Sequence, residues 1–192
     1  IDIELFDSEA PRTVAHFLNY LNSGAYNNSF IHRSVPGFII QGGGYTWDNN
    51  AAGVKQIVAA APIANEFSAT RSNLRGAIAM AKLAGNPDSA TCEWFINLAD
   101  NSANLDNQNG GFTVFGRVTG NGMTVVDAIS TLTTVNVGGA FTNLPVLSVP
   151  PFGNIGQSEL VMVTAAAVLK TTAKGDLNND GPSPPALKSP RL

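Results

Sequence analysis

Phe30-Ile31-His32-Arg33-Ser34-Val35-Pro36-Gly37-Phe38-Ile39-Ile40-Gln41-Gly42-Gly43 is the most informative stretch of the chain. Phe30 to Ser34 is a β-prone run, Pro36-Gly37 marks a turn, and Phe38 to Gln41 is a second β-prone run. Gly42-Gly43-Gly44 lacks the Lys-Ser/Thr that follows in a phosphate-binding loop, so it reads as a flexible turn or bulge.

Toward the N-terminus, Ile1 to Phe6 alternates apolar and polar residues until its last step, the pattern of a half-buried strand. Ser8 is placed to cap a following helix and Pro11 suits its first turn. Val14, Phe17, Leu18 and Leu21 then fall on one helical face before a stop at Gly24. Downstream, β-prone runs recur at Ala77 to Ala81, Trp94 to Leu98 and Phe112 to Val118, divided by Gly, Pro and Asn clusters. Many short strands with such punctuation imply a barrel or sandwich. Met123 to Ser130 reads as a second short helix behind the Asn121-Gly122 breaker, and Leu160 to Leu169 as a closing strand. From Thr171 apolar residues thin out, and the Pro-rich Gly181-Pro182-Ser183-Pro184-Pro185 cannot pack. The expected organisation is a domain over residues 1–170 and an extended or disordered tail over 171–192. No fixed-period repeat is present, which excludes solenoids and propellers.

Composition narrows the function classes. With 192 residues, 44% of them apolar, the chain suits one domain with one sizeable core. A net charge of −3 without any Lys/Arg block disfavours nucleic acid and anionic membranes as partners. No apolar stretch is long enough to cross a bilayer. Cys92 is the single cysteine, so no intrachain disulfide can form. The low charged content, 13%, with abundant Asn, Thr and Ser, favours a periplasmic or secreted location over a cytoplasmic one.

His16 and His32 have no second His or Cys at metal-ligand spacing, so no zinc site is expected. Asp176-Leu177-Asn178-Asn179-Asp180-Gly181 matches the opening of a calcium loop. Its twelfth position is Leu187 where a bidentate Glu belongs, so an Asx-rich turn is the preferred reading. Neither a metal nor a cofactor is expected.

The fourteen residues from Phe30 to Gly43 resemble the signature of cyclophilin-type peptidyl-prolyl cis-trans isomerases. Gly76 to Ala81, Asp88 to Asn97, Leu105-Asp106 and Phe112 to Val118 follow in family order, in a layout similar to the bacterial members. The resemblance runs from Ile1 to about Val149 and resumes near Val161 to Leu169, leaving out the insert Pro150 to Glu159 and the tail. It implies a mainly β fold: a closed antiparallel eight-stranded barrel capped by two α-helices. The implied activity is isomerisation of X-Pro bonds in unfolded or flexible polypeptides, assisting their folding, by a monomer. The implied catalytic residue is Arg33. Phe38, Ile39, Phe95 and Leu105 would line the proline pocket with Phe112 at its rim, and Gln41, Ala81 and Glu93 would contact substrate backbone. His32 is read as structural, since in the family the adjacent arginine faces the groove.

Three departures from the family pattern stand out. Glu93-Trp94-Phe95 takes the place of the usual Gln-Phe-Phe. The carboxylate at 93 removes a donor and adds charge; beside the guanidinium of Arg33 its pKa should fall below about 4.3. Asn104 stands where cyclosporin-sensitive members carry tryptophan, so weak cyclosporin binding is expected. Lastly, family members have a strand before the one that begins at Ile1; without it the barrel would have an open edge, for which Thr171 to Asp176 is a candidate filler. The rival to an active enzyme is a non-catalytic cyclophilin-fold module that binds proline-containing segments. A β-barrel adhesin or sugar binder would make the fourteen-residue segment a coincidence.

Overall fold

A computed structural model describes residues 1–49, 53–151 and 153–169. In chain order its elements are β1 (Asp2–Leu5), α1 (Pro11–Asn22), β2 (Ser29–Phe30), β3 (Arg33–Val35), β4 (Ile39–Gly42), β5 (Tyr45–Asp48), β6 (Gly53–Gln56), β7 (Ala77–Met80) and β8 (Trp94–Asn97). They continue with α2 (Ser102–Leu105), β9 (Val114–Thr119), α3 (Gly122–Ser130), β10 (Thr134–Val135), β11 (Leu144–Pro145), a 3-10 turn (Gln157–Glu159) and β12 (Met162–Val163).

The mainly β expectation holds, but the closed eight-stranded barrel does not. The strands form a six-stranded sheet ordered β1-β9-β7-β8-β4-β3, a four-stranded sheet ordered β12-β2-β5-β6, and the small pair β10-β11. Among the described residues β1 pairs only with β9 and β3 only with β4, so the larger sheet has two ends. The break is visible in the backbone of the run read as one strand from Phe30 to Ser34. Ile31 N donates to Val161 O at 3.0 Å, whereas the next amide, His32 N, donates to Gln41 O at 3.0 Å. Successive amides therefore serve different sheets, and the run divides into β2 and β3.

The helix expected after Ser8 forms, but Ser8 does not cap it; its hydroxyl donates to Glu9. The chain turns again after Ser8, and the helix begins at Pro11 with Ala10 as N-cap. The orphan amides of the first turn are served from across the fold. Glu66 accepts from Thr13 N at 2.7 Å and Arg12 N at 3.2 Å, and also from Thr13 Oγ1 at 2.7 Å. Gly24 ends this segment with φ +74°, a conformation that favours glycine. The second expected helix is α3, and a third, the single turn α2, brings the helices to three. The expected closing strand shrinks to Met162–Val163: past it, the alanine run is held by Ala166, which packs against the main core and donates from its N to Asn27 Oδ1 at 3.0 Å. The tail, its calcium-like loop and the candidate filler Thr171 to Asp176 lie outside the described residues.

The main core lies between α1, α3 and the inner face of the six-stranded sheet. Val14 and Phe17 of α1 meet Ile40, Ile78, Trp94, Ile96 and Phe115 there. Phe17 and Phe115 pack with ring centroids 5.1 Å apart. A separate cluster of Phe30, Leu144, Val146 and Leu160 fills the space beside the four-stranded sheet.

Candidate active site

Because side chains alternate along a strand, the residues next to each inward isoleucine point outward, and register lines them up. Arg33 lies opposite Gln41, Gln41 opposite Phe95, Phe95 opposite Ala79, and Ala79 opposite Val114. One row of side chains thus crosses β3, β4, β8, β7 and β9 on the outer face, with a bulge between Ile78 and Ala79. Arg33 stands at its polar end.

The apolar end is a cluster distinct from the main core. Ile39, Ala77, Ala79, Phe95, Leu105 and Val114 are buried in it, with Phe38, Ala81, Phe112 and Phe6 partly exposed against them. Alanines at 77, 79 and 81 carry only a methyl each, so the larger rings and Leu105 supply most of the volume of this cluster. Phe112 meets Phe95 edge to face with centroids 5.7 Å apart. The apolar residues assigned to the proline pocket by resemblance, Phe38, Ile39, Phe95 and Leu105 with Phe112 at the rim, are therefore brought together, and Ala81, assigned to substrate backbone, packs beside them.

A buried amide network, which the sequence reading missed, supports this pocket from beneath. Asn97 Nδ2 donates to Ala77 O at 3.1 Å, and Asn101 Nδ2 donates to Asn97 Oδ1 at 2.8 Å and to Phe38 O at 2.9 Å. Asn73 Nδ2 donates to Asp106 Oδ1 at 2.8 Å and to Phe112 O at 3.0 Å. Leu105 N and Phe112 N close the loop by donating to Asn101 O at 2.7 Å and Leu105 O at 3.0 Å. Lys82 was missed as well. Its ammonium donates to Asn109 O at 2.8 Å and Gly111 O at 2.6 Å, and lies 4.7 Å from the Phe112 ring centroid. Burial pushes the Lys82 pKa down, with Asp88 partly opposing. Asparagines and a lone lysine in turn-rich segments carry no periodic signal, so pattern reading passes over them.

At the polar end Arg33 Nη1 donates to Gln41 Oε1 at 3.2 Å, and Gln41 Nε2 donates to Glu93 Oε2 at 2.6 Å. The direct pairing of Glu93 with Arg33 anticipated above is replaced by a chain in which Gln41 stands between them. On its buried side Glu93 Oε2 lies 3.4 Å from His32 Nε2. Burial acts to raise the Glu93 pKa, but the contact and charge of His32 and the Gln41 hydrogen bond outweigh it and hold the carboxyl below its ordinary 4.5. The direction expected from sequence is right, and its source is His32 and Gln41.

The triple glycine is a close-approach site rather than a flexible turn. A Cβ on Gly43, whose φ is +80°, would come within 2.5 Å of Cys92 O and 2.7 Å of the Trp94 ring. One on Gly44 would come within 2.7 Å of Glu93 Oε1. Only glycine lets the chain just past β4 run so near the residues that present Glu93.

Asn104 is exposed on α2 and accepts from Gln108 Nε2. Among the described residues no group of three or more His, Cys, Asp or Glu side chains could hold a metal ion, and no helix is long and apolar enough to cross a membrane.

Comparisons with known proteins identify the family. The family model of the cyclophilin type peptidyl-prolyl cis-trans isomerases matches residues 1–149. Peptidyl-prolyl cis-trans isomerase A of Dickeya dadantii (strain 3937) is 40% identical over 172 residues, covering 88% of this chain and 80% of its own. Peptidyl-prolyl cis-trans isomerase B of Escherichia coli (strain K12) is 42% identical over 138 residues, covering 70% and 80%. A crystal structure of a Cryptosporidium parvum cyclophilin type isomerase, obtained in the presence of the dipeptide Ala-Pro, superposes with TM-score 0.55 at 24% identity, over 73% of this chain and 83% of that one. The chain belongs to the cyclophilin-type peptidyl-prolyl cis-trans isomerase family. Its activity is acceleration of rotation about X-Pro peptide bonds, and the purely binding alternative is not favoured.

Proposed function

We propose that the outer face of the six-stranded sheet is the catalytic groove, with Arg33 as the catalytic cation and proline-containing segments of unfolded or flexible polypeptides as substrate. The observation that carries this reading is the cross-strand row that runs from a half-buried guanidinium into an apolar cluster edged by the partly exposed Phe38, Ala81 and Phe112. Phe38, Ile39, Phe95 and Leu105 receive the proline ring, Phe112 borders it, and Gln41, Ala81 and Glu93 meet substrate backbone.

The reaction requires no nucleophile. Amide resonance sets a rotation barrier of about 18–20 kcal/mol, and twisting the bond localises a lone pair on the prolyl nitrogen. A permanently charged guanidinium aimed at that nitrogen stabilises the twisted form more than the planar one. Charge-assisted hydrogen bonds are worth roughly 1.5–3 kcal/mol each, and each tenfold acceleration requires about 1.36 kcal/mol. A few such contacts made only at the twisted geometry are of the right size.

The family resemblance implies a monomeric enzyme, and sedimentation of the purified protein checks this. Asn104 on the exposed face of α2 supports weak cyclosporin binding. The composition supports export, and cell fractionation reads it directly.

The central test is a protease-coupled assay on a short X-Pro peptide. Arg33→Ala lowers kcat/KM at least about tenfold with an unchanged melting temperature, and Arg33→Lys rescues poorly because an ammonium lacks the planar fork. Equal activity of Arg33→Ala and the unmodified enzyme would remove this mechanism.

A further inference from the structure

His32 is 2% exposed, and Arg33, its neighbour in sequence, stands at the polar end of the groove. A buried imidazole needs a reason, since either of its neutral tautomers carries one donor and one acceptor. Its Nε2 lies 3.4 Å from Glu93 Oε2, its ring meets Tyr45 edge to face with centroids 5.1 Å apart, and its Nδ1 has no hydrogen-bond partner among the described residues. The one polar contact of the ring is therefore directed at Glu93.

Glu93 Oε2 is shared. It faces His32 from the buried side and accepts from Gln41 Nε2 at 2.6 Å. An ionised carboxylate can only accept, so Gln41 has to present its NH2 group to Glu93 and its carbonyl oxygen to the other side. That oxygen receives Arg33 Nη1 at 3.2 Å. The amide at position 93 in most family members could donate as well as accept, and would leave the direction of the Gln41 amide unspecified.

We propose that His32 is a positioning residue of the isomerase: by holding Glu93 from the buried side, it fixes the Gln41 amide so that its oxygen faces and orients the guanidinium of Arg33. This rests on Arg33 being the catalytic cation. The titratable groups that meet the ring are Glu93 ahead of β8 and Tyr45 on β5, and Cys92 and Arg33 are the sequence neighbours of Glu93 and His32. Burial, then the charges of Glu93 and Cys92, push the Tyr45 phenol up, so it stays neutral through the range in which Glu93 titrates. Burial likewise raises the Cys92 thiol. Glu93 is then the group whose ionisation sets the direction of the relay.

The test is a double-mutant cycle in the protease-coupled assay, with melting temperature as the check on folding. His32→Phe keeps a ring and removes the donor. It lowers kcat about tenfold with KM changed less than about twofold, and moves the acid limb of the kcat profile up toward the ordinary carboxylate range. His32→Gln, which retains an N–H donor, recovers most of the loss. In the Glu93→Gln background His32→Phe costs no more than about twofold, because the partner it acts through is gone. The same loss in both backgrounds, or no loss in either, overturns the proposal. An Arg33→Ala enzyme as active as the unmodified one removes the catalytic reading and this relay with it. An intact Arg33 effect with an additive cycle removes the relay alone. On the unmodified protein, NMR gives an answer that does not depend on any variant folding. The His32 ring and Gln41 side-chain amide signals shift together as Glu93 is titrated, and a ring signal indifferent to Glu93 overturns the assignment.

Discussion

The two faces of the six-stranded sheet are built from the same strands, one residue out of step. Inward, Ile40, Ile78, Trp94 and Ile96 fill the main core against α1. Outward, their neighbours Ile39, Ala77, Ala79 and Phe95 are buried in a second cluster edged by the partly exposed Phe38, Ala81 and Phe112, and Gln41 is half-buried beside it. The inner face is covered by helices, whereas the outer face is edged by partly exposed rings and a half-buried polar end. With the groove proposed above, the period-two alternation of a strand assigns stability and catalysis to opposite faces.

The comparison is broken most severely on the inner side. Ile96→Ala removes a side chain that is 1% exposed and should cost about 2–5 kcal/mol in urea unfolding, with kcat per folded molecule close to the original. A fall in kcat without loss of stability would show that the two faces are not independent. Next in size is an addition at the rim of the outer face. A tryptophan buries roughly 150–250 Å², and half of that at about 25 cal/mol per Å² is worth about 2–3 kcal/mol. Asn104→Trp should therefore strengthen cyclosporin inhibition by between one and two decades while melting at the same temperature. Inhibition of the unmodified enzyme near nanomolar, about −12 kcal/mol, would contradict the role given to α2.

The smallest effect is a titration. Glu93 has a depressed folded-state pKa, so its contribution is complete above the unfolded value and lost as pH falls through the folded one. Activity should be flat from about pH 6 to 8, where a normal carboxylate is fully ionised. It should decline only below the ordinary 4.5 of a glutamate. Glu93→Gln should lack that acid limb and turn over severalfold more slowly. A pH profile identical for the two forms would place residue 93 outside the reacting groove.

Much of this was legible in the sequence because it repeats locally. Alternation marked β1, and the spacing of Val14, Phe17, Leu18 and Leu21 marked α1. Resemblance to the isomerase family supplied the pocket residues, which the structure gathers on one face. The β5–β6 hairpin escaped notice because β6 is an edge strand with mostly exposed side chains, and so has no apolar alternation to read. Failure to close the barrel was equally hidden, since whether Ile31 and His32 bond to one sheet or two depends on partners more than a hundred residues away in one case and nine in the other. The role of His32 was missed for a related reason. Its position in the motif suggests packing, and only the three-dimensional approach of Glu93 gives its ring a task.

The remote cap on α1 has a consequence in time. No residue near Ala10 serves the first amides of that helix through a side chain; Glu66 does, and Glu66 N is itself held by Thr113 Oγ1 at 2.9 Å. Loop-closure entropy has to be met before such a contact forms, so the first turn of α1 cannot mature until the middle of the chain has docked. The edge strand beside it faces the same delay, because Asp2 pairs with Thr119. A catalyst of slow steps in other chains thus ties its own first helix to a contact more than fifty residues along the sequence. In pulse-labelled amide exchange during refolding, Thr13 should gain protection after the last turn of the same helix, and simultaneous protection would show that the helix closes on local contacts alone.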